Sequence, residues 1–290
     1  MDAMKSEIKS HVASQLNLQL RYDDELDRFK RYINKMKDSE DGTYFNVEYC
    51  YEMQFDAFAL SPYVDSVKDE TTLFHAKEAL RFAKLHYALL PLPKNETMTM
   101  EYEGKIYNIN AYNKPDFTLK ESEWEDLLFL SIAVGDTDDL NDIMALYHEG
   151  RVKWCDIQAC DDTIIYLHLL GLKPANDIQR AIESLVESIN ENRNFQNGKL
   201  RAYHGMTISL GAVDVMLKMH GGDEVQYRAA MYQAVEMHRE WYAQNEMKDR
   251  QIGYLSLRLI AIARYAFNRF GYTLDFTSKY IPEWTQERDF

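Results

Sequence analysis

Apolar residues recur along this chain at intervals of three and four, the period of one face of an α-helix. The clearest stripe is Leu73, Ala76, Leu80, Ala83, Tyr87 and Leu90, stopped by Pro91 and Pro93. Before it, Leu26, Phe29, Ile33 and Met36 predict a helix over 23–37, and Tyr51, Phe55 and Phe58 predict another over 46–60. A fainter version of the pattern covers residues 4–20. The texture then turns β-prone: Thr97–Tyr102 and Lys105–Ile109 flank Glu103-Gly104, which reads as a hairpin that must lean on helices to be stable.

Helical spacing returns at Ser122-Glu123-Trp124-Glu125, where Ser122 and Glu125 have the spacing of a capping box, and continues to Val134. Gly135-Asp136-Thr137 breaks the chain, and Thr137 is the expected cap of a helix with Leu140, Ile143, Met144 and Tyr147 on one face. Further helices are expected over 161–170, from a cap at Asn176 through Ile189, and over 206–220. Another starts at a cap on Asp223 and runs through Trp241. The stretch from Gly253 to Phe267 is apolar on nearly every face, interrupted by Ser256, Arg258 and Arg264, and such a helix is stable only among other helices. Gly271 suits the left-handed residue that closes it, and a short extended segment then leads to Pro282.

The expected fold is all-α: about ten helices packed as helical hairpins, one small β-hairpin near residues 97–110 and a short C-terminal extended segment. A single domain over 1–290 accommodates them, with the loop Asn113-Lys114-Pro115-Asp116 marking a subdivision into 1–115 and 116–290.

Charge narrows the function. A net charge of −14 repels nucleic acid and anionic membrane and favours a basic protein partner. Three cysteines, Cys50, Cys155 and Cys160, do not make a disulfide framework. With no apolar secretory segment at the start and no run long enough to span a bilayer, a cytoplasmic location is expected.

Candidate chemistry is sparse. Cys155, Cys160 and His168 lack the fourth ligand and the paired spacing of a zinc site, so small buried cysteines are the better reading. There is no two-histidine metalloprotease helix and no glycine-rich phosphate loop. Gly135-Asp136-Thr137-Asp138-Asp139 is similar to the metal-binding aspartate stretch of ADP-ribosylglycohydrolases, but the partner motifs of that family are missing and helix capping explains the residues. Arg81 and His86 fit the arginine–histidine spacing of HEPN-type ribonucleases; at five residues apart they do not share a helix face. No catalytic residue, metal or cofactor is therefore assigned.

Three stretches carry a resemblance. They are Leu80–Leu90 with the hairpin around Gly104, the helix Trp124–Val134 followed by Gly135-Asp136 and Leu140, and Leu255-Ser256-Leu257 through Ala266, Gly271 and Ser278–Pro282. Together they resemble the Immunity 49 family of bacterial polymorphic-toxin immunity proteins, over roughly residues 73–284. The resemblance implies an antidote that neutralises a cognate secreted toxin by direct binding, without catalysis. It supplies no functional residues, so candidates come from the acidic surface: Asp38, Glu40, Asp41, Asp136, Asp138, Asp139, Asp161 and Asp162. A basic nuclease is a toxin class that such a surface would match. The competing classes are a HEPN-like ribonuclease, a metal-dependent ADP-ribosyl hydrolase and a non-catalytic helical scaffold.

Overall fold

The helical stripes form helices in the computed structural model, which describes residues 6–12, 17–38, 44–154, 157–173, 178–192, 203–244, 247–248 and 250–287. Ten α-helices lie among the described residues, with only small strand pairs beside them, so the fold is mostly all-α. The chain divides into two compact units, neither contiguous in sequence. One comprises Met1–Ala13, Lys120–Phe129 and Trp154–Phe290, the other Ser14–Leu119 and Leu130–Lys153.

In the unit built mainly from the first half of the chain, α1 (Leu18–Asp38), α2 (Tyr44–Leu60) and α3 (Asp69–Leu89) pack together. The side chain of Asn17 caps α1 by accepting from the Leu20 N–H at 3.1 Å. Helix α2 buries Val47, Cys50, Met53, Ala57 and Phe58, which explains why its sequence shows so little amphipathic period: it lies between α1 and α3. Strands β2 (Thr97–Tyr102) and β3 (Lys105–Asn110) form the expected hairpin in full register from Thr97↔Asn110 to Tyr102↔Lys105. Its turn needs positive φ at both central residues, and Glu103 (48°) and Gly104 (70°) supply it. The inner face, Met100, Tyr102, Tyr107 and Ile109, closes onto Phe29 and Phe82, with the Phe29 and Phe82 rings edge-to-face at 5.5 Å. The same unit holds α5 (Thr137–His148) and the pairing of β4 (Leu119–Lys120) with β5 (Val152–Lys153), in which the Leu119 N–H donates to the Arg151 carbonyl. Helix α4 (Glu121–Val134) contributes its last residues here and its first ones to the other unit.

The other unit contains α6 (Ile157–Leu169), α7 (Ile178–Asn192), α8 (Leu210–His220), α9 (Glu224–Tyr242) and α10 (Leu257–Phe270). Asp223 caps α9 as expected, accepting from the N–H groups of Val225 and Gln226. Helix α10 buries Leu257, the run Leu259–Ala263 and Ala266, and ends at Gly271 with φ 73°, as its sequence implied.

Three expectations fail for identifiable reasons. Residues 6–8 are not helical: they form strand β1, paired in parallel with β6 (Phe276–Ser278), a long-range partner that overrides local pattern. The last apolar helix starts at Leu257, because Gln251–Gly253 makes a 3₁₀ turn and the Ser256 N–H donates to the Tyr280 carbonyl. Glu125 does not cap α4. Its buried carboxylate accepts from Thr163 at 2.5 Å and Arg258 at 2.7 Å, a tertiary use of a residue with capping-box spacing. The cap at Asn176 lies outside the described residues.

Candidate functional site

Helix α3 presents Lys77, Arg81, Lys84 and Ala88 along one stripe, since steps of three and four residues return to the same side of a helix. Facing that stripe is the start of α5. The residue that permits the approach is Gly135. A Cβ there would lie 2.7 Å from the Ser131 carbonyl oxygen, 2.9 Å from the Asp139 Cβ and 3.0 Å from a methyl of Leu80. Asp136, not Thr137, is the N-cap. Its carboxylate accepts from the Asp139 N–H at 2.9 Å, and the Asp139 carboxylate accepts from the Asp136 N–H at 3.0 Å, a capping box with aspartate in both positions.

The second Asp139 oxygen binds the Lys84 ammonium at 2.5 Å, and Asp142 binds it from the next turn at 2.8 Å. Partial burial works against the Lys84 charge, but hydrogen bonds to Asp139 and Asp142 outweigh it and hold the ammonium above the ordinary lysine value. Beyond this bridge the surface opens into a groove of about 670 Å³. From α3 it takes Leu80, Leu85, Tyr87 and Ala88, and from α5 Ile143, Ala145, Leu146 and Glu149. Pro91, Met98, Phe117 and Val134 complete the apolar lining. Phe117 stacks on Tyr87 at 6.2 Å and carries the Arg151 guanidinium over its ring at 4.9 Å. The volume lies in the range of pockets that bury a ligand or a few partner side chains.

The acidic residues singled out from sequence have different fates. Asp136, Asp138 and Asp139 sit together at the head of α5; Asp139 lines the groove and Asp138 is exposed. Asp162 is buried and accepts from the Ser209 hydroxyl at 2.7 Å, so it is not presented on the surface. Asp38 closes α1 and Asp161 lies within α6, but the side chains of both fall outside the described residues, as do Glu40 and Asp41 altogether. Sequence reading missed Lys84, Asp142, Met98 and Phe117. The signal for the first two was the i, i+4, i+7 run of cations on α3 opposite a helix whose charges are acidic.

The residues of the alternative chemistries are placed apart or otherwise employed. Arg81 is exposed, pairs with Glu78 at 3.4 Å and covers the Tyr102 ring, whereas His86 is buried on another side of α3, its pKa lowered to about 4 by burial and by Lys114. Asp136 and Asp139 are engaged in capping, with Lys84 where a cation would sit. Among the described residues no three His, Cys, Asp or Glu side chains converge as metal ligands. Cys155 and the side chain of Cys160 lie outside the described residues; Cys50 is buried in the core, which pushes its thiol up.

A second concentration of ionisable groups surrounds Arg258 in the other unit. Its guanidinium donates to Glu125 and to the Tyr166 hydroxyl at 3.3 Å, and lies over the Tyr166 ring at 5.2 Å. Asp126 nearby is pushed up to about 7 by burial, an effect that the Arg258 charge moderates. Arg258, Glu125 and the hydroxyls of Tyr166 and Thr163 satisfy one another inside the unit, as a buried polar network must. Among the described residues no helix is long and apolar enough to cross a membrane.

The family described as Immunity protein 49 matches residues 68–285, a span that begins just before α3 and takes in the hairpin, α5 and the whole lining of the groove. No curated protein and no solved structure matches the chain.

Proposed function

Because the chain belongs to the immunity protein 49 family, we propose that it is an antidote that binds a cognate toxin in the cytoplasm and covers the toxin's active site, doing no chemistry of its own. The family match over 68–285 carries this reading. Charge supports it: at −14 the chain attracts a basic partner over distance, and from Asp136 to Glu149 it has five carboxylates and neither lysine nor arginine. A toxin with a basic substrate groove, such as a nuclease, is the partner class that this surface matches best.

The test uses the toxin domain that this reading predicts in the reading frame beside this gene. Its purified form should lose activity on mixing with the chain and should elute with it as a complex. Asp138→Lys, which reverses an exposed charge outside the capping box, should slow association by about threefold to tenfold at low salt and less at high salt. An unchanged association rate at low salt would remove the carboxylates from the account. Cleavage of RNA by the chain alone, lost in His86→Ala, would replace the antidote with an enzyme. Magnesium-dependent hydrolysis of ADP-ribosyl groups, lost in Asp136→Asn, would do so too.

A further inference from the structure

We infer that Asp126 is the proton-binding group of a pH-sensitive contact in the unit that contains α10: its carboxyl is protonated while the first half of α4 is firmly packed, and its ionisation loosens that packing. The device is independent of what the chain binds. Helix α4 brings two adjacent carboxylates, Glu125 and Asp126, into the field of Arg258 on α10. The guanidinium is already committed. It donates to Glu125 at 2.7 Å and to the Tyr166 hydroxyl at 3.3 Å, and it lies over the rings of Tyr166 and Phe129. Glu125 also takes the Thr163 hydroxyl at 2.5 Å, and Asp162, a third carboxylate acting on Arg258, accepts from Ser209 at 2.7 Å. Asp126 differs from both. Among the described residues no hydrogen bond and no ion pair reaches its carboxylate, although the residue is only partly open to water.

Three carboxylates therefore share one guanidinium, and the one without hydrogen bonds is the costliest to keep ionised. On its own helix, Glu125 and the exposed Glu123 repel its charge. From α10, Arg258 attracts it, and among the described residues this is the one cation that acts on it. From α9 it faces Tyr242, which burial first, and then the charge of Asp126, hold above the ordinary tyrosine value. From α6, Asp162 and Tyr166 act on Arg258 and so draw on the same positive charge. Burial is the largest influence on Asp126 and lifts its carboxyl to about 7. Because the folded value is raised, the stability contributed by the protonated group is complete below the ordinary 3.8 and is lost as pH rises through about 7.

The test is NMR of the side-chain carboxyl groups in the full chain labelled at aspartate, beside Asp126→Asn, which keeps the shape of the side chain and removes its proton equilibrium. One aspartate should titrate near neutrality, and its resonance should be missing from the variant. In denaturant unfolding the variant should gain on the wild type as pH rises. The ratio of their folding constants should grow by between about tenfold and a hundredfold from pH 5 to pH 8. Amide exchange in the first half of α4, corrected for its intrinsic pH dependence, should accelerate over that range in the wild type and stay constant in the variant. Glu123→Gln removes a repelling charge at an exposed position and should move the titration to lower pH, a shift that a merely structural Asp126 would not show. The assignment is overturned if no aspartate titrates near neutrality, if the one that does survives in Asp126→Asn, or if the ratio of folding constants is flat. Should Asp126→Asn not fold, Glu123→Gln decides the matter: a titration that stays in place overturns the assignment.

Discussion

Replacing Lys84 by methionine asks whether charge holds α5 against α3. Methionine keeps an unbranched apolar stem, so the substitution removes an ammonium and little packing. Lys84 and Asp139 are each about a quarter exposed, whereas Asp142 is 63% exposed. The Asp142 pair is therefore largely hydrated and worth about 0.5 kcal/mol. The less hydrated bond to Asp139 is charge-assisted and worth about 1.5 kcal/mol. Asp139 retains its place in the capping box, so the loss stops near 2 kcal/mol, with a few tenths added for repulsion between two carboxylates one turn apart. The pH dependence is a second check. Lys84 titrates above its ordinary 10.5 in the folded state, so its contribution is complete below that pH and disappears as pH rises through the folded value. Denaturant unfolding followed by circular dichroism should show Lys84→Met weaker than wild type by about 2 kcal/mol at pH 8, with the gap closing as pH rises past 10.5 and on through the raised folded-state value. A gap below about 0.5 kcal/mol at pH 8, or one that persists undiminished at high pH, would refute the reasoning.

Other perturbations probe the scaffold around this site. His75, sandwiched between the Tyr22 hydroxyl at 2.6 Å and Gln54 at 2.7 Å, is lowered to about 4 by burial. Its contribution is present above pH 6.5 and lost as pH falls toward 4, about 3 kcal/mol in all, so His75→Gln should flatten the acid limb of a stability–pH curve. Arg258→Met leaves the Glu125 carboxylate buried without its charge partner, held only by the Thr163 hydroxyl, and should cost about 3–5 kcal/mol; adding Glu125→Gln should recover a large part, and a double-mutant cycle on unfolding free energies measures the coupling. Gly135→Ala forces a Cβ against the Ser131 carbonyl and should cost about 2 kcal/mol in thermal or denaturant unfolding.

Much of the helical framework was legible because it follows from local period. The stripes of α1, α3 and α5 and the capping by Asp223 are set by residues within a turn or two of each other. What was not legible depends on partners distant in sequence. Residues 6–8 become a strand only because Phe276–Ser278 offers them an edge, and Glu125 leaves its local cap for Arg258, 133 positions away. The groove shows the same division. Asp136, Asp138 and Asp139 stood out as a cluster, but Lys84 has meaning only once α3 lies beside α5, and Met98 and Phe117 only once the hairpin and the loop after it are in place. Asp162 was misread as surface because a carboxylate near a helix start looks the same in sequence whether it faces water or Ser209.

The most direct test is a titration of the toxin domain that the account predicts in the neighbouring reading frame with the purified full chain, reading the toxin's own activity. The account predicts that toxin activity falls to zero as the chain is added, and that Asp138→Lys slows the onset of inhibition at low salt without lowering the chain's own stability. Toxin activity unaffected by excess chain, with the chain itself turning over RNA or an ADP-ribosylated substrate, would contradict it.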